Sequence, residues 1–477
     1  MAGIRAGMLS PSCRGEVFVL LLGWGVLLHK VAKADFLTSW FSALATIAAF
    51  AMIVRPSRPE PVGALFVGII GQVLMGFDLF GNHWPFLGLL GFGWFAAWAS
   101  SGAGLGASAG TVCERFFPLA RLAWMAMWVV VAVHKFNRGF FDAPQSCAIQ
   151  LYEQSRSLLR FLPDLAELTP SALPPVVALA EAAIAVGLIV PRLRPVAVLL
   201  GLGFHLLSGA AVPSFGGLAM AFYVPFLGSE VVNASLSALR SMERRLPLLR
   251  AAPLIAVGGM GVIAIANGYA NLTDRPPFNE VRSAGAAVVL TGTGLIICYG
   301  LGLWLARGPG QPVTIGRPGP VGLAIVALVG LIGIAPYLGL RTENSLSMFS
   351  NLRTEEGVWN HLLVPEAVQL FHHQGPLIRV RETEVENIER VSRRLELPLS
   401  KVRFVEADLA RRITLHCGAR TDPAEAAGGV SMTVMRNGEW EVVDDVCTDD
   451  SLTTPSGVMW ERIMLFRAVP DVNRCQH

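Results

Sequence analysis

Residues 124–135 read Trp-Met-Ala-Met-Trp-Val-Val-Val-Ala-Val-His-Lys, an apolar run that ends on two ionisable side chains. The run lies inside the apolar stretch 117–136, which approaches the roughly 20 residues that a helix needs to cross a bilayer. The chain as a whole is also apolar on average. Of its 477 residues, 53% are hydrophobic and 15% are charged, and the mean hydropathy is +0.52. Soluble domains carry about 25% charged residues, so the composition excludes an ordinary soluble enzyme.

The charged residues are divided unevenly along the chain. Residues 1–340 carry 22 basic and 14 acidic side chains, whereas residues 341–477 carry 16 basic and 21 acidic ones. We therefore predict a transmembrane helical domain at 1–340, a polar linker or lid at 341–365, and an extramembrane C-terminal domain at 366–477. The net charge of +3 indicates no nucleic-acid partner. The expected partner of the apolar part is the lipid bilayer.

Apolar stretches that approach the length of a bilayer span recur up to residue 340. They lie at 16–31, 36–54, 62–81, 85–101, 117–136, 172–190, 195–212, 215–228, 250–270, 284–305 and 320–338. Residues 1–34 also fit a cleavable signal peptide, so we predict an all-α polytopic membrane protein of about ten or eleven transmembrane helices. With the N-terminus in the cytoplasm, Lys and Arg divide 14 to 8 in favour of the cytoplasmic side, as the positive-inside rule requires. This orientation places the C-terminal domain outside the cytoplasm.

The C-terminal domain has the pattern of a small α+β or β-rich unit. A helix is predicted at 384–395, where apolar residues recur at helical spacing. Strands are predicted at 402–405, 413–417, 430–435, 440–443 and 463–468, with a hairpin turn at Asn437-Gly438.

Four cysteines lie in the parts predicted to be outside the cytoplasm: Cys147, Cys417, Cys447 and Cys475. An oxidising compartment permits disulfides among them, but the sequence leaves the pairing open. No zinc-binding Cys or Cys/His spacing is present, so we predict no metal site.

Few ionisable residues interrupt the predicted spans, and such residues usually line a cavity because a charge in hydrocarbon is costly. They are Asp78, His83, His134, Lys135, Glu181 and His205. The chain uses arginine for most of its positive charge, so a lysine stands out. Unlike arginine, a lysine in an apolar site can lose its proton near neutral pH and act as a base. Lys135 is therefore the leading candidate for a catalytic base, in a pocket that also gathers His83 and His205.

Each of these residues also has a structural explanation. Lys135 at a helix end could extend to the lipid headgroups, and His83 beside Trp84 could form an interfacial turn in the aromatic belt. Glu181 and His205 could hold neighbouring helices together by hydrogen bonds. The sequence leaves both kinds of explanation open.

The segment 341–363 is rich in hydrogen-bonding side chains. It is either a solvated linker or a lid over the outer pocket. As a lid, it would offer Arg341 and Arg353 to bind a carboxylate in a bidentate manner.

Three short motifs, in this order along the chain, resemble the integral membrane vitamin K-dependent γ-glutamyl carboxylases and the wider HTTM (horizontally transferred transmembrane) family. They are Asn82-His83-Trp84, His134-Lys135-Phe-Asn137-Arg-Gly-Phe-Phe-Asp, and a Glu181-bearing helix followed by Gly203-Phe204-His205-Leu-Leu-Ser. The resemblance covers residues 15–230 and, more weakly, 335–365.

The resemblance implies a chemistry based on a reduced quinone. Lys135 would deprotonate reduced vitamin K or menaquinone, His83 and Asn82 would assist the lysine, and His205 would lie in the quinone pocket. The other residues expected around this pocket are Glu181, Asn137, Trp84, Arg341 and Arg353. The quinone anion would react with O2 to give an epoxide through a strongly basic alkoxide, which removes a γ-proton from glutamate before CO2 traps the carbanion. A dry pocket suits this carboxylase-like lyase reaction on a protein or peptide.

The chain departs from the carboxylases after its last predicted span. The stretch 337–353 has no tyrosine in its middle, so the quinone-and-base half of the mechanism could act on an acceptor other than glutamate. The alternative hypothesis is a non-catalytic membrane protein or carrier on the same scaffold, which binds a lipid or a small solute. We find no internal repeat of the kind that favours a transporter. The preference for arginine and the many Ala and Gly residues indicate a bacterium, so the inner membrane is the expected location.

Overall fold

The computed structural model is mostly helical (64%) and contains a small antiparallel sheet. The residues it describes are 13–33, 38–75, 82–102, 106–158, 162–164, 169–211, 213–245, 313–419, 429–436, 438–449, 451–453, 464–473 and 475. Among them, three helices are long and apolar enough to cross a membrane, at Ala109–His134, Pro170–Ile189 and Pro320–Leu338. Shorter apolar helices lie at Trp40–Val54, Glu60–Met75 and Phe215–Phe226.

Most of the helices up to residue 340 coincide with predicted apolar stretches, whereas those at Arg138–Phe141, Cys147–Leu158 and Ser229–Arg245 were not predicted. In chain order they are α1 (Arg14–Lys33), α2 (Trp40–Val54), α3 (Glu60–Met75), α4 (His83–Ala99), α5 (Ala109–His134), the short α6 (Arg138–Phe141), α7 (Cys147–Leu158), α8 (Leu173–Ile189), α9 (Arg194–Ala211), α10 (Pro213–Tyr223), α11 (Ser229–Arg245) and α12 (Pro320–Leu338). The predicted stretches 250–270 and 284–305 lie outside the described residues, as does Asp78.

Helix α5 is the central element of this bundle, because it packs against α1, α4, α8 and α12. Its Trp124 and Trp128 are 0% and 2% exposed and belong to one continuous apolar core. The apolar run before Lys135 therefore faces other helices, which brings the end of α5 into the interior of the protein.

Helices α1 and α10 approach each other more closely than ordinary side chains allow. A Cβ added to Gly25 in α1 would lie 2.7 Å from the carbonyl oxygen of Gly217 in α10. Glycine at this crossing lets the two backbones touch, as small residues do at the interfaces of membrane helices. The contact holds the C-terminal half of α1, with His29 and Lys30, beside the rest of the bundle.

The C-terminal domain has an α+β fold. Its strands are β1 (Leu377–Thr383), β2 (Val402–Val405), β3 (Met432–Arg436), β4 (Glu439–Val443) and β5 (Val469–Pro470). They form one sheet in the order β4-β3-β1-β2-β5, with antiparallel pairing throughout. Helices α13 (Glu386–Leu395) and α14 (Glu406–Ala419) contribute Ile388 and Ile413 to the buried core of this domain.

Several predictions for this domain are confirmed, and others are wrong. The helix at 384–395 and the strands at 402–405, 430–435 and 440–443 are present within a few residues. The predicted strand 413–417 is instead part of α14, because Leu409, Ile413 and Cys417 recur every four residues on the face that meets the core. At 464–468 no strand forms, and pairing begins only at Val469.

The central strand β1 was not predicted from the sequence. Its sequence, Leu-Ile-Arg-Val-Arg-Glu-Thr, carries three charged residues and lacks a clean apolar alternation. The strand nevertheless pairs with β2 on one side and β3 on the other. Such pairing joins residues distant in sequence, and local pattern alone does not reveal it.

Two disulfides resolve the pairing that the sequence left open. Cys417 pairs with Cys447 inside the C-terminal domain, and Cys147 pairs with Cys475. The second bond is 0% exposed at Cys147 and joins residues separated by 328 positions. It therefore fastens the end of the chain to the start of α7, close to the candidate site.

Removing the Cys147–Cys475 bond is expected to destabilise the protein more than removing Cys417–Cys447. A disulfide restricts the unfolded chain more when it closes a longer loop, and the typical effect is about 2–4 kcal/mol. The two loops here correspond to separations of 328 and 30 residues. The comparison uses the free energy of unfolding of two variants, one with Cys147 and Cys475 replaced by serine and one with Cys417 and Cys447 replaced by serine. Both are measured under the same conditions. An equal or smaller loss for the Cys147–Cys475 variant contradicts the prediction.

Candidate functional site

The centre of the candidate site is a buried pair formed by Lys135 and Glu181. Lys135 follows the last residue of α5, and Glu181 lies in the middle of α8, which packs against α5. The Lys135 Nζ lies 3.6 Å from Glu181 Oε1, and the side chains are 4% and 3% exposed. An isolated charge at this depth is costly. The pair is therefore expected to hold one proton between its members, as ammonium with carboxylate or as amine with carboxylic acid.

The other hydrogen bonds of Lys135 end on backbone carbonyls. Its Nζ donates to the carbonyl oxygens of Met348 at 3.1 Å and Phe349 at 2.7 Å. The ring of Phe140 lies 5.1 Å from the same nitrogen. A neutral amine keeps two N–H groups for the two carbonyls and gains a lone pair, so the geometry accommodates both protonation states.

The residues that cover this pair belong to the segment 341–363, which we call the plug. Glu356, Gly357, Leu362 and Leu363 are exposed, but most of the segment is not. Many of its polar side chains are buried, among them Arg341, Thr342, Asn344, Ser345, Ser347, Ser350, Asn351, Thr354, Glu355 and His361. Asn344, Leu346, Phe349 and Asn351 have positive φ angles of 54°, 58°, 50° and 54°. Such a conformation costs of order 1–3 kcal/mol per non-glycine residue and persists only where surrounding contacts impose it. The plug is thus a fixed structure against Lys135.

Two asparagines impose the conformation of the plug. Asn82 Oδ1 accepts a 2.6 Å hydrogen bond from the backbone N–H of Leu346. Asn137 Nδ2 donates to the carbonyl oxygens of His134 at 2.7 Å and Ser350 at 2.5 Å, and its side chain also caps α6. Both predicted site asparagines therefore contact the plug that covers Lys135, and each binds its backbone.

His83 and Trp84 begin α4 and contact the end of α1. The Nε2 atom of His83 lies 3.3 Å from Nδ1 of His29, and Trp84 packs edge-on against His29 with centroids 4.7 Å apart. Lys30 Nζ lies 5.2 Å from the Trp84 ring centre and donates to Ser42 Oγ at 2.8 Å. The shown partner of the His83 imidazole nitrogen is therefore His29 at the end of α1.

His205 lies in a buried cluster of aromatic rings. Its ring centroid is 5.5 Å from Trp128, 5.4 Å from Phe215 and 5.9 Å from Tyr223. Its Nε2 atom has no hydrogen-bond partner among the residues that the structure describes. Phe215 also contacts His83, at 5.8 Å, so one ring joins the two predicted histidines. The cluster forms an apolar wall with a polar nitrogen directed into it.

Arg341 and Arg353 lie in the plug but do not meet each other at Lys135. Arg341 Nε donates to the carbonyl oxygen of Glu343 at 2.9 Å. Arg353 Nη2 donates to the carbonyl oxygens of Pro470 at 2.8 Å and Val472 at 3.1 Å. Burial lowers the pKa of each guanidinium to about 10, and both remain charged at neutral pH. Arg353 thus ties the plug to the C-terminal domain.

His29 and Lys30 are neighbours of the site that were not predicted from the sequence. A signal was present, because the dipeptide His-Lys ends the first apolar stretch at 29–30 and the fifth at 134–135. Both dipeptides are buried, with Lys30 at 0% and Lys135 at 3% exposure. Reading the first stretch as a possible signal peptide concealed this repetition.

No family model, curated protein or solved structure matches this chain. Within the described residues, no group of three or more His, Cys, Asp or Glu side chains is placed to hold a metal ion.

Proposed function

We propose that this chain is an integral membrane enzyme similar to the vitamin K-dependent carboxylases, in which Lys135 removes a proton from a reduced quinone. The observation that carries the proposal is the buried Lys135–Glu181 pair, with its 3.6 Å separation and its closure by the plug. A lysine can serve as a base near neutral pH where burial disfavours its charged form. Glu181 is the second group of the pair that can carry the shared proton.

The aromatic cluster around His205 is the proposed binding region for the quinone ring. Trp124, Trp128, Phe215 and Tyr223 offer flat apolar surfaces, and His205 Nε2 offers a hydrogen-bonding group among them. A small number of polar groups in a mostly apolar wall is typical of cofactor and ligand sites. Exclusion of water from this region would protect a strong base from protonation.

The co-substrates in this proposal are O2 and CO2. One atom of O2 enters the quinone epoxide and the other leaves as water, while CO2 replaces a proton on the acceptor carbon. The reduced substrate is vitamin K or menaquinone. The acceptor is a glutamate in a protein or peptide, or another carbon acid, since no tyrosine lies in the middle of 337–353.

The proposed topology has ten or eleven membrane helices, as the sequence predicts, in a bacterial inner membrane. The N-terminus is cytoplasmic and the C-terminal domain is outside. The two disulfides support this orientation, because Cys147, Cys417, Cys447 and Cys475 all fall in parts assigned to the non-cytoplasmic side, where disulfides persist.

The test of this function is turnover by the purified protein in detergent. Reduced menaquinone or reduced vitamin K is supplied with O2 and 14C-bicarbonate, and quinone epoxide is followed by chromatography. The expected result is epoxide formation that requires both enzyme and O2, with label fixed when an acceptor peptide containing glutamate is added. Epoxide without fixed label would retain the quinone chemistry and reject glutamate as the acceptor. A folded protein that binds quinone without oxidising it would favour the non-catalytic carrier instead.

A further inference from the structure

An apolar loop, residues 362–371, lies on the surface at the end of the plug. Its sequence is Leu-Leu-Val-Pro-Glu-Ala-Val-Gln-Leu-Phe, in which Glu366 is the one charged residue. Leu363 and Leu370 are 63% and 69% exposed, and Leu362 and Phe371 are exposed as well. Exposed apolar side chains that lie together mark a site where a protein meets a membrane or another molecule. The chemistry proposed for Lys135 gives this loop no role.

The first half of the apolar loop is fixed to the end of α5. His361, the residue before the loop, has its Nε2 atom 2.9 Å from the carbonyl oxygen of Val133 in α5. Its Nδ1 atom accepts a 3.1 Å hydrogen bond from the N–H of Leu363. The N–H of Leu362 donates to the carbonyl oxygen of Phe136 at 2.9 Å. The backbone is thus held against α5 while the two leucine side chains remain exposed.

The second half of the apolar loop is fixed to the end of α12. The N–H of Phe371 donates to the carbonyl oxygen of Leu338 at 2.9 Å, and the buried Gln374 donates from Nε2 to that of Pro336 at 2.7 Å. Gly339 caps α12 with a φ of 81°, and a Cβ at this position would collide with the carbonyl oxygen of Phe371. The loop therefore lies directly against the end of a helix that is long and apolar enough to cross a membrane.

The ends of α5 and α12 lie at the same level. The Nε2 atom of His134, the last residue of α5, is 2.9 Å from the carbonyl oxygen of Gly333 in α12. Before this level, α12 presents the exposed apolar side chains of Leu328, Leu331 and Ile334, which recur every three residues. Apolar side chains that stay exposed on such a helix are expected to face lipid. The apolar loop adds exposed apolar surface at the end of this helix.

The backbone of the apolar loop is mostly paired within the protein. The N–H groups of residues 362, 363, 364, 368, 369 and 371 all donate to acceptors in the chain, and Pro365 has no N–H. Hydrocarbon supplies no partner for a polar backbone group, so a segment that enters a bilayer must pair its own. This pairing favours lipid over water as the surroundings of the loop.

We propose that the apolar loop inserts into the outer leaflet of the lipid bilayer, with its exposed leucines at the boundary between headgroups and acyl chains. The inference rests on the proposed topology, in which α5 and α12 cross the membrane and end at its outer surface. Apolar side chains of an interfacial segment enter this boundary by about 5–10 Å. The lipid contact holds the end of the plug, which covers Lys135, at the edge of the bilayer.

The test is photo-crosslinking of the full-length protein in phosphatidylcholine vesicles. The photoreactive residue p-benzoylphenylalanine is introduced by nonsense suppression in place of Leu363 or Leu370, one position per variant. Two matched variants carry it at other exposed apolar positions, Leu331 in α12 and Val442 in β4 of the C-terminal domain. After illumination, mass spectrometry measures the attached lipid, and fragmentation locates the point of attachment on the lipid.

The variants at Leu363 and Leu370 are both expected to give about tenfold more lipid adduct than the variant at Val442, because burial in an apolar environment favours a leucine side chain by about that factor or more. Attachment is expected at the glycerol or the first acyl carbons. The variant at Leu331 is expected to attach deeper in the acyl chain.

Failure of either leucine position to label lipid, while Leu331 does label it, would overturn the inference and leave the proposed topology intact. The same holds for attachment confined to the headgroup, and for an adduct to a second copy or to another part of this chain in place of lipid. If Leu331 also fails to label lipid, the proposed topology fails together with the inference.

Discussion

Replacing Lys135 by alanine is expected to reduce oxygen-dependent quinone epoxidation by a factor of about 10² to 10⁴, the range typical of losing a general base. The loss follows from the position of Nζ, which lies beside Glu181 and beneath the carbonyls of Met348 and Phe349. Lys135→Arg is expected to be as inactive as Lys135→Ala, since a guanidinium keeps its proton. This second variant separates a base from a simple positive charge. Epoxide formation by the purified variants gives the rates.

The matched control is Lys401→Ala, which removes an exposed lysine from the C-terminal domain and is expected to keep full activity. Quinone binding by the variants distinguishes lost chemistry from a lost pocket. An arginine variant with near wild-type turnover would contradict a deprotonation role, and it would leave Lys135 as an electrostatic or structural group.

The sequence was sufficient to select Lys135 and Glu181 but not to pair them. Both are ionisable residues in predicted apolar helices, and hydrocarbon is a poor environment for charge. Their 3.6 Å contact depends on the packing of α8 against α5, which no local pattern encodes. The sequence likewise selected His83 without showing which residue it contacts. Its motif was visible in the sequence, yet its structural neighbour is His29.

The plug was the least predictable part of the site. Its composition suggested either a linker or a lid, and its contribution to Lys135 comes from backbone carbonyls of Met348 and Phe349. Backbone groups have no sequence signature. Positive φ angles at Leu346 and Phe349 were equally hidden, because residues with apolar side chains rarely adopt them. In contrast, α14 was predictable from the sequence. Leu409, Ile413 and Cys417 recur every four residues, and this helical spacing outweighs the strand propensity of the segment.

Removing one member of the Lys135–Glu181 pair is expected to destabilise the protein by about 3–5 kcal/mol, because the partner remains as a buried charge without compensation. The two side chains are 4% and 3% exposed, so water cannot take over the role of the missing group. The single variants are Glu181→Leu and Lys135→Met. Unfolding of the purified protein in detergent, titrated with a denaturing detergent, measures each free energy.

The double variant Lys135→Met with Glu181→Leu is expected to be more stable than either single variant, because no charge is left without a partner and two apolar side chains fill the space. Its free energy of unfolding is not expected to reach the wild-type value. The carbonyls of Met348 and Phe349 lose their donor in both the lysine variant and the double variant, and an unsatisfied buried acceptor costs about 1–3 kcal/mol. Strictly additive losses in the double variant would show that the pair is not coupled. The hypothesis that Lys135 and Glu181 share a proton would then lose its support, and with it the proposed role of Lys135 as a base.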